Sequence, residues 1–245
     1  MNSTNLERYG VRAVVQQAYS IEKQVWLDSR EREYLYAFLS SAFRMPPPLN
    51  MLEKMLRSGI TSGMTAVLKS ISHAKAEQVG QALERILFKW KDVLVQQELQ
   101  LQQEYAFLFL APNEVSLFES DHLHSQPKHK EIARDMVRIT YCIAGQFKRR
   151  NLFPADHIAV ELDFIADLIG CAARRDNKYP DSTMAQYIFI REHLVRWVPL
   201  LCREIAIKGQ PGMFYRQMAN LTVNLIELDQ IILGIRAETK SGLAG

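Results

Sequence analysis

Phe153-Pro-Ala-Asp-His-Ile-Ala-Val-Glu-Leu-Asp-Phe-Ile165 is the stretch on which the fold turns. Asp156 is placed to cap a helix, because its carboxylate can accept the free amides of a first turn. Ile158, Leu162 and Ile165 follow at spacings of four and three and face a core. His157 falls at the helix start, and Glu161 lies four residues on, on the same face. Two carboxylates and an imidazole thus gather round one helix end. As a metal site the set lacks a clear third strong ligand. As an acid–base dyad it lacks a nucleophile or a phosphate loop. A structural cap with a paired histidine is compatible with it, and so is a polar cluster that recognises a peptide.

The helical period extends to both sides. One helix is expected over 29–43, with Ser29 as cap and Tyr34, Leu35, Phe38, Leu39 and Ala42 as its apolar face. Pro46-Pro47-Pro48 ends it and starts a short helix over 49–57. Helices rich in Ala, Gln, Glu and Leu follow over 73–90 and 94–110. An irregular stretch covers 111–127; a loop of about 15 residues inside a helical protein is more often functional than idle. Further helices are expected over 128–150, 156–173, 183–207 and 213–235, with Pro199 kinking the third near 195–197. No period-two strand is convincing. The fold class is all-α, a single-domain bundle of about nine to eleven helices. Residues 1–28 form a polar N-terminal extension, helical or disordered; 29–237 form the domain, and 238–245 a flexible tail.

Composition agrees with that class. Of 245 residues, 48% are apolar, enough for a sizeable core, while 11 Gly and 9 Pro are too few for a loop-rich or all-β fold. A net charge of +3 is too even to imply a nucleic-acid partner. Cys142, Cys171 and Cys202 are far apart and sit in apolar helical segments, so they read as small buried hydrophobes in a reducing compartment. No signal-peptide core or membrane-length apolar run is visible, so a cytoplasmic protein without stable membrane insertion is expected. Arg149-Arg150 and Arg174-Arg175 are internal and suit helix C-termini.

Other segments carry candidate residues. Tyr105, Leu108 and Phe109 share a helical face that runs into the long loop. They read either as core packing or as the lining of an apolar groove for a peptide helix. His193 and Trp197 stand one helical turn apart and read as packed core residues. His122, His124 and His129 suggest a chelate at first sight, but no cysteine or second histidine pair supports one.

In chain order the motifs are Tyr34-Leu-Tyr-Ala-Phe-Leu with Phe43-Arg-Met-Pro, then Glu104-Tyr-x-x-Leu-Phe109 and Glu119-Ser120. Pro154-x-Asp-His-x-x-x-Glu-Leu162, His193-Leu-x-x-Trp197 and Phe214-Tyr215 complete the set. The set resembles the TorD/DmsD family of redox-enzyme maturation chaperones over about residues 30–235, and the Pro-x-Asp-His-x-x-x-Glu-Leu element is its most specific part. The resemblance implies a one-domain helical chaperone, not an enzyme, with no catalytic residues, cofactor or metal of its own. Its partner would be the twin-arginine leader and apo-form of a molybdenum oxidoreductase, held back from export until its cofactor is inserted. The leader-binding residues it implies are Tyr105, Leu108, Phe109, Asp156 and His157, with Glu119, Ser120 and Glu161 added by motif match. Two departures stand out: Leu117-Phe118 precedes Glu119-Ser120 where many relatives have a proline before the aromatic, and the lead-in is longer than usual.

The ligand chemistry fits such a site. A twin-arginine leader joins guanidinium groups to an apolar stretch and wants carboxylates beside an apolar groove. Glu104, Glu114, Glu119, Asp121, Asp156 and Glu161 supply acid near Tyr105, Leu108 and Phe109. A metal-dependent hydrolase using His157 and Glu161 is the enzymatic alternative. A DNA-binding regulator would need a basic recognition helix, and in 128–150, the one candidate, Glu131 and Asp135 dilute the charge. No Walker-type glycine loop supports nucleotide binding. Long helices joined by hinge loops leave a domain-swapped homodimer open.

Overall fold

The computed structural model describes residue 26 and residues 30–47, 60–71, 73–91, 98–110, 115–143, 153–174, 182–211 and 213–242. Its helices are α1 (Arg30–Arg44), α2 (Ile60–Lys69), α3 (Ala74–Lys91) and α4 (Glu98–Tyr105), the last continued by a π-helical turn, Ala106–Leu110. After the loop come α5 (Glu119–Leu123), α6 (Pro127–Ile143), α7 (Ile158–Ala173) and α8 (Ser182–Phe189). A second π-turn, Ile190–Leu194, leads into α9 (Val195–Lys208), and α10 (Phe214–Gly242) ends the bundle. The protein is all-α: among the described residues no strand forms, only an isolated bridge between Phe118 and His157.

α7 is the central element. Apolar side chains on most of its sides leave it buried almost all round, as a helix inside a bundle requires. It packs along α1, which carries Glu31 and Glu33 in its first turn and Arg44 in its last, in keeping with the helix dipole. α1 buries Leu35, Leu39, Ala42 and Phe43 on the facing side. α8 covers another flank of α7, and α10 packs against α3 and α9. No described helix is long and apolar enough to cross a membrane.

A buried charge group ties α1 to α8 and α10. Arg32 donates from Nε to both Asp229 oxygens at 2.8 and 3.0 Å, and Trp26 and Tyr36 donate to the same carboxylate at 2.6 and 2.7 Å. Gln186 accepts from Arg32 Nη1. All these side chains are buried. Trp26, expected in a separate extension, therefore belongs to the core.

Several other expectations change. The cap of α7 is His157, whose Nδ1 accepts from Ala159 N–H at 3.1 Å, and not Asp156. Cys142 is exposed, whereas Cys171 and Cys202 are buried as expected. Pro199 sits inside α9, which runs unbroken from Val195 to Lys208, and the second π-turn begins nine residues before the proline. α10 runs on to Gly242, through much of the expected tail. Arg174 caps the C-terminus of α7. The expected helix over 49–57, the Ser29 cap and the pair Arg149-Arg150 lie outside the described residues.

Candidate functional site

The long loop folds back onto the start of α7. Residues 115–118 run extended beside 156–158: Glu119 N–H donates to Asp156 O and Ile158 N–H donates to Leu117 O, each at 2.9 Å. This pairing brings Glu119-Ser120 against Asp156-His157, two motifs 36 residues apart.

Asp156 is fully buried, and both oxygens of its carboxylate accept hydrogen bonds. Oδ2 accepts from Ser120 Oγ at 2.5 Å and from Ser120 N–H at 3.3 Å. Oδ1 accepts from Arg134 Nε at 2.8 Å. Arg134 comes from α6, whose inward face repeats Lys130, Arg134, Val137 and Tyr141 at helical spacing. Lys130 reaches Asp121 at 2.8 Å, and Tyr141 donates to Ala155 O at 2.7 Å. Burial alone would raise the Asp121 carboxyl, but hydrogen bonds from Lys130 and Ser116 outweigh it and hold the group low.

A second polar group lies deeper. Trp197 Nε1–H donates to Glu161 Oε2 at 3.0 Å. His193 Nδ1 lies 3.0 and 3.2 Å from the two Glu119 oxygens. A carboxylate only accepts, so Nδ1 carries the proton. The π-turn supplies this geometry, since His193 falls inside it and stacks on Phe189 at 4.6 Å. Burial, and then the Glu119 charge, push the Glu161 carboxyl well above the usual range. Both effects favour the neutral form of Glu161. Its buried Oε1 has no hydrogen-bond partner among the described residues.

The surroundings of His157 favour its neutral form. Burial, and then the Arg44 charge, lower it from 6.5 to about 4. Its ring packs between Phe153 at 4.6 Å and Phe118 at 5.2 Å. Among the described residues no three His, Cys, Asp or Glu side chains are grouped as a metal ion requires. His157 spends Nδ1 on its helix cap and Glu161 spends Oε2 on Trp197, so neither the metal nor the acid–base arrangement is assembled.

Tyr105, Leu108 and Phe109 lie buried in the core. They do not line an open groove. Tyr105 and Phe109 pack edge-on with Phe43 and Tyr215, ring centres 5.1 to 6.4 Å apart, and the Tyr105 hydroxyl donates to Phe43 O and Arg44 O. The apolar side chains this segment does expose are Phe107 and Leu110. Glu104 is also structural: its Oε2 accepts Phe214 N–H at 2.7 Å, at the start of α10.

All eight expected site residues are thus buried, none more than 8% exposed. The structure joins Glu119, Ser120, Asp156, His157 and Glu161 into one cluster and puts Tyr105, Leu108 and Phe109 in an aromatic core. Sequence reasoning missed Arg134, and the signal was present, because Arg134 shares a helical face with Val137 and Tyr141. His122 packs on Trp197 at 5.4 Å, and its Nε2 lies 2.8 Å from Ser116 O, so it braces the loop.

Known proteins resemble this chain over the same region. The family model for the nitrate reductase delta subunit matches residues 74–203. Chaperone protein TorD of Aliivibrio fischeri is 37% identical over 78 residues, 31% of this chain and 36% of that protein. The TorD of Photobacterium profundum is 33% identical over 148 residues, 56% of this chain and 65% of that protein. The TorD of Aliivibrio salmonicida is 26% identical over 211 residues, 82% of this chain and 94% of that protein. The first two alignments thus span about a third and just under two thirds of those relatives' lengths. No solved structure matches the chain.

Proposed function

This chain belongs to the nitrate reductase delta subunit family and within it to the TorD/DmsD group, and on that premise we propose that it is a cytoplasmic chaperone for a molybdenum oxidoreductase. It binds the twin-arginine leader and the apo-form of its client, assists cofactor insertion and prevents premature export. It makes no covalent change in the client.

The observation that carries this reading is the family match, which contains the Ser120–Asp156–Arg134 cluster within its bounds. The cluster supports the leader in particular, because it is a buried carboxylate that already receives a guanidinium, the group that a twin-arginine leader presents. Phe107 and Leu110 supply exposed apolar surface on the same chain. No observation favours the hydrolase reading. The test is co-expression of the affinity-tagged chain with molybdoenzyme precursors of its host, each with and without its leader. Capture of one precursor that weakens on leader deletion is expected. Equal capture of the leaderless form would remove the leader from the account and leave a chaperone of the client's mature surface.

A further inference from the structure

The Asp156 side chain has no exposure to solvent, and each of its oxygens is covered by a donor. Ser120 covers Oδ2 from its hydroxyl and its amide, and Arg134 covers Oδ1. Arg134 also reaches Ser120 Oγ at 3.4 Å and lies 5.9 Å from the centre of the Phe118 ring. The two partners differ in one respect: Ser120 is buried, whereas the Arg134 side chain is 40% exposed. Arg134 is therefore the group through which this buried carboxylate meets solvent, and it can leave without breaking a helix or a loop pairing.

We propose that Arg134 occupies, in the leader-free chain, the seat on Asp156 that a leader arginine takes, so that binding exchanges one guanidinium for another. The proposal rests on the leader-binding reading and adds its regulation. Exchange solves a problem of burial: an empty Asp156 would be an unpaired buried charge, which is costly, so the chain keeps the seat filled from within. It also explains selectivity. A lysine ammonium cannot reproduce a planar donor that reaches both Asp156 and Ser120, so an incoming lysine does not displace Arg134. Apparent affinity is then the intrinsic affinity reduced by the fraction of chains in which the seat is open.

The test is titration of the full chain with a synthetic peptide carrying two adjacent arginines and a following apolar segment, against a copy with lysines. Arg134→Gln should tighten the arginine peptide by about 5- to 150-fold, the range of a typical coupling free energy. Arg134→Lys, which keeps the charge and loses the fork, should tighten it less. Arg138→Gln, one turn along α6 and paired with Asp135, removes the same charge without touching Asp156 and should change affinity by less than about twofold. Equal tightening by both glutamine variants would reduce the effect to general electrostatics and overturn the exchange. Weaker binding by a folded Arg134→Gln chain would overturn it as well, making Arg134 a structural strap.

A second readout needs no leader. Millimolar ethylguanidinium should raise the melting temperature of Arg134→Ala and leave wild type unmoved, and ethylammonium should do neither. Rescue without any peptide binding would retain the guanidinium seat and reject the leader reading. Absence of rescue in a folded variant would reject the seat itself.

Discussion

His157 should make stability fall as the solution turns mildly acidic, and the size of the fall follows from its environment. Burial holds the folded imidazole at about 4, against an ordinary value of 6.5. Between those values the unfolded chain takes up a proton that the folded chain refuses. This contribution is complete above about 6.5 and is lost as pH falls towards 4. Each unit of difference corresponds to about 1.4 kcal/mol, so the loss is about 2 kcal/mol at pH 5 and tends to about 3 kcal/mol below pH 4. The perturbation is His157→Asn, which removes the titration and keeps a competent cap for Ala159 N–H. Lost packing against Phe153 and Phe118 will cost stability at every pH, so the informative quantity is the difference between variant and wild type as pH changes. Urea unfolding from pH 7.5 down to pH 5 should show the two curves converging by about 2 kcal/mol. A difference that stays constant would refute a buried neutral His157, and with it the assignment of this residue to the scaffold.

Other consequences can be measured alongside. Glu161 is raised, which gives the opposite sign: its contribution is fullest at low pH and is lost as pH rises from the usual carboxylate value through the folded one. Glu161→Gln should remove that dependence and, near pH 7, match or exceed wild type by about 1 kcal/mol, whereas Glu161→Ala should cost about 1–3 kcal/mol by stranding Trp197. Asp229→Asn leaves Arg32 buried without its counter-charge, and denaturant unfolding should show a loss of about 3–5 kcal/mol. Leu108→Ala should cost about 2–5 kcal/mol of stability, while a peptide affinity measured on the folded variant stays near wild type, because Leu108 faces the core.

The fold was legible because its signals are local. The period of α7, the acidic first turn of α1 and the proline run after it each depend on neighbours in sequence. α5 escaped notice because a five-residue turn of Glu-Ser-Asp-His-Leu has no period to detect, and it is stabilised by contacts to 156–158 and by the Ser116 bond to Asp121. The cap of α7 was misplaced by one residue for the same kind of reason. Asp156 is the better intrinsic cap, but Ser120 and Arg134 claim its carboxylate from 36 and 22 residues away. The Arg32–Asp229 pair spans 197 residues and leaves no trace in either helix's pattern. The motifs placed Glu119, Ser120, Asp156, His157 and Glu161 without showing their depth, since a motif records which residue types must meet and not how deep the meeting lies.

The most direct test of the central claim is a calorimetric titration of the chain against twin-arginine leader peptides from the molybdoenzymes of its host, each paired with an arginine-to-lysine copy. The account predicts micromolar or tighter binding to one leader and at least tenfold weaker binding to its lysine copy. Binding to none, or equal binding to both members of each pair, would contradict it.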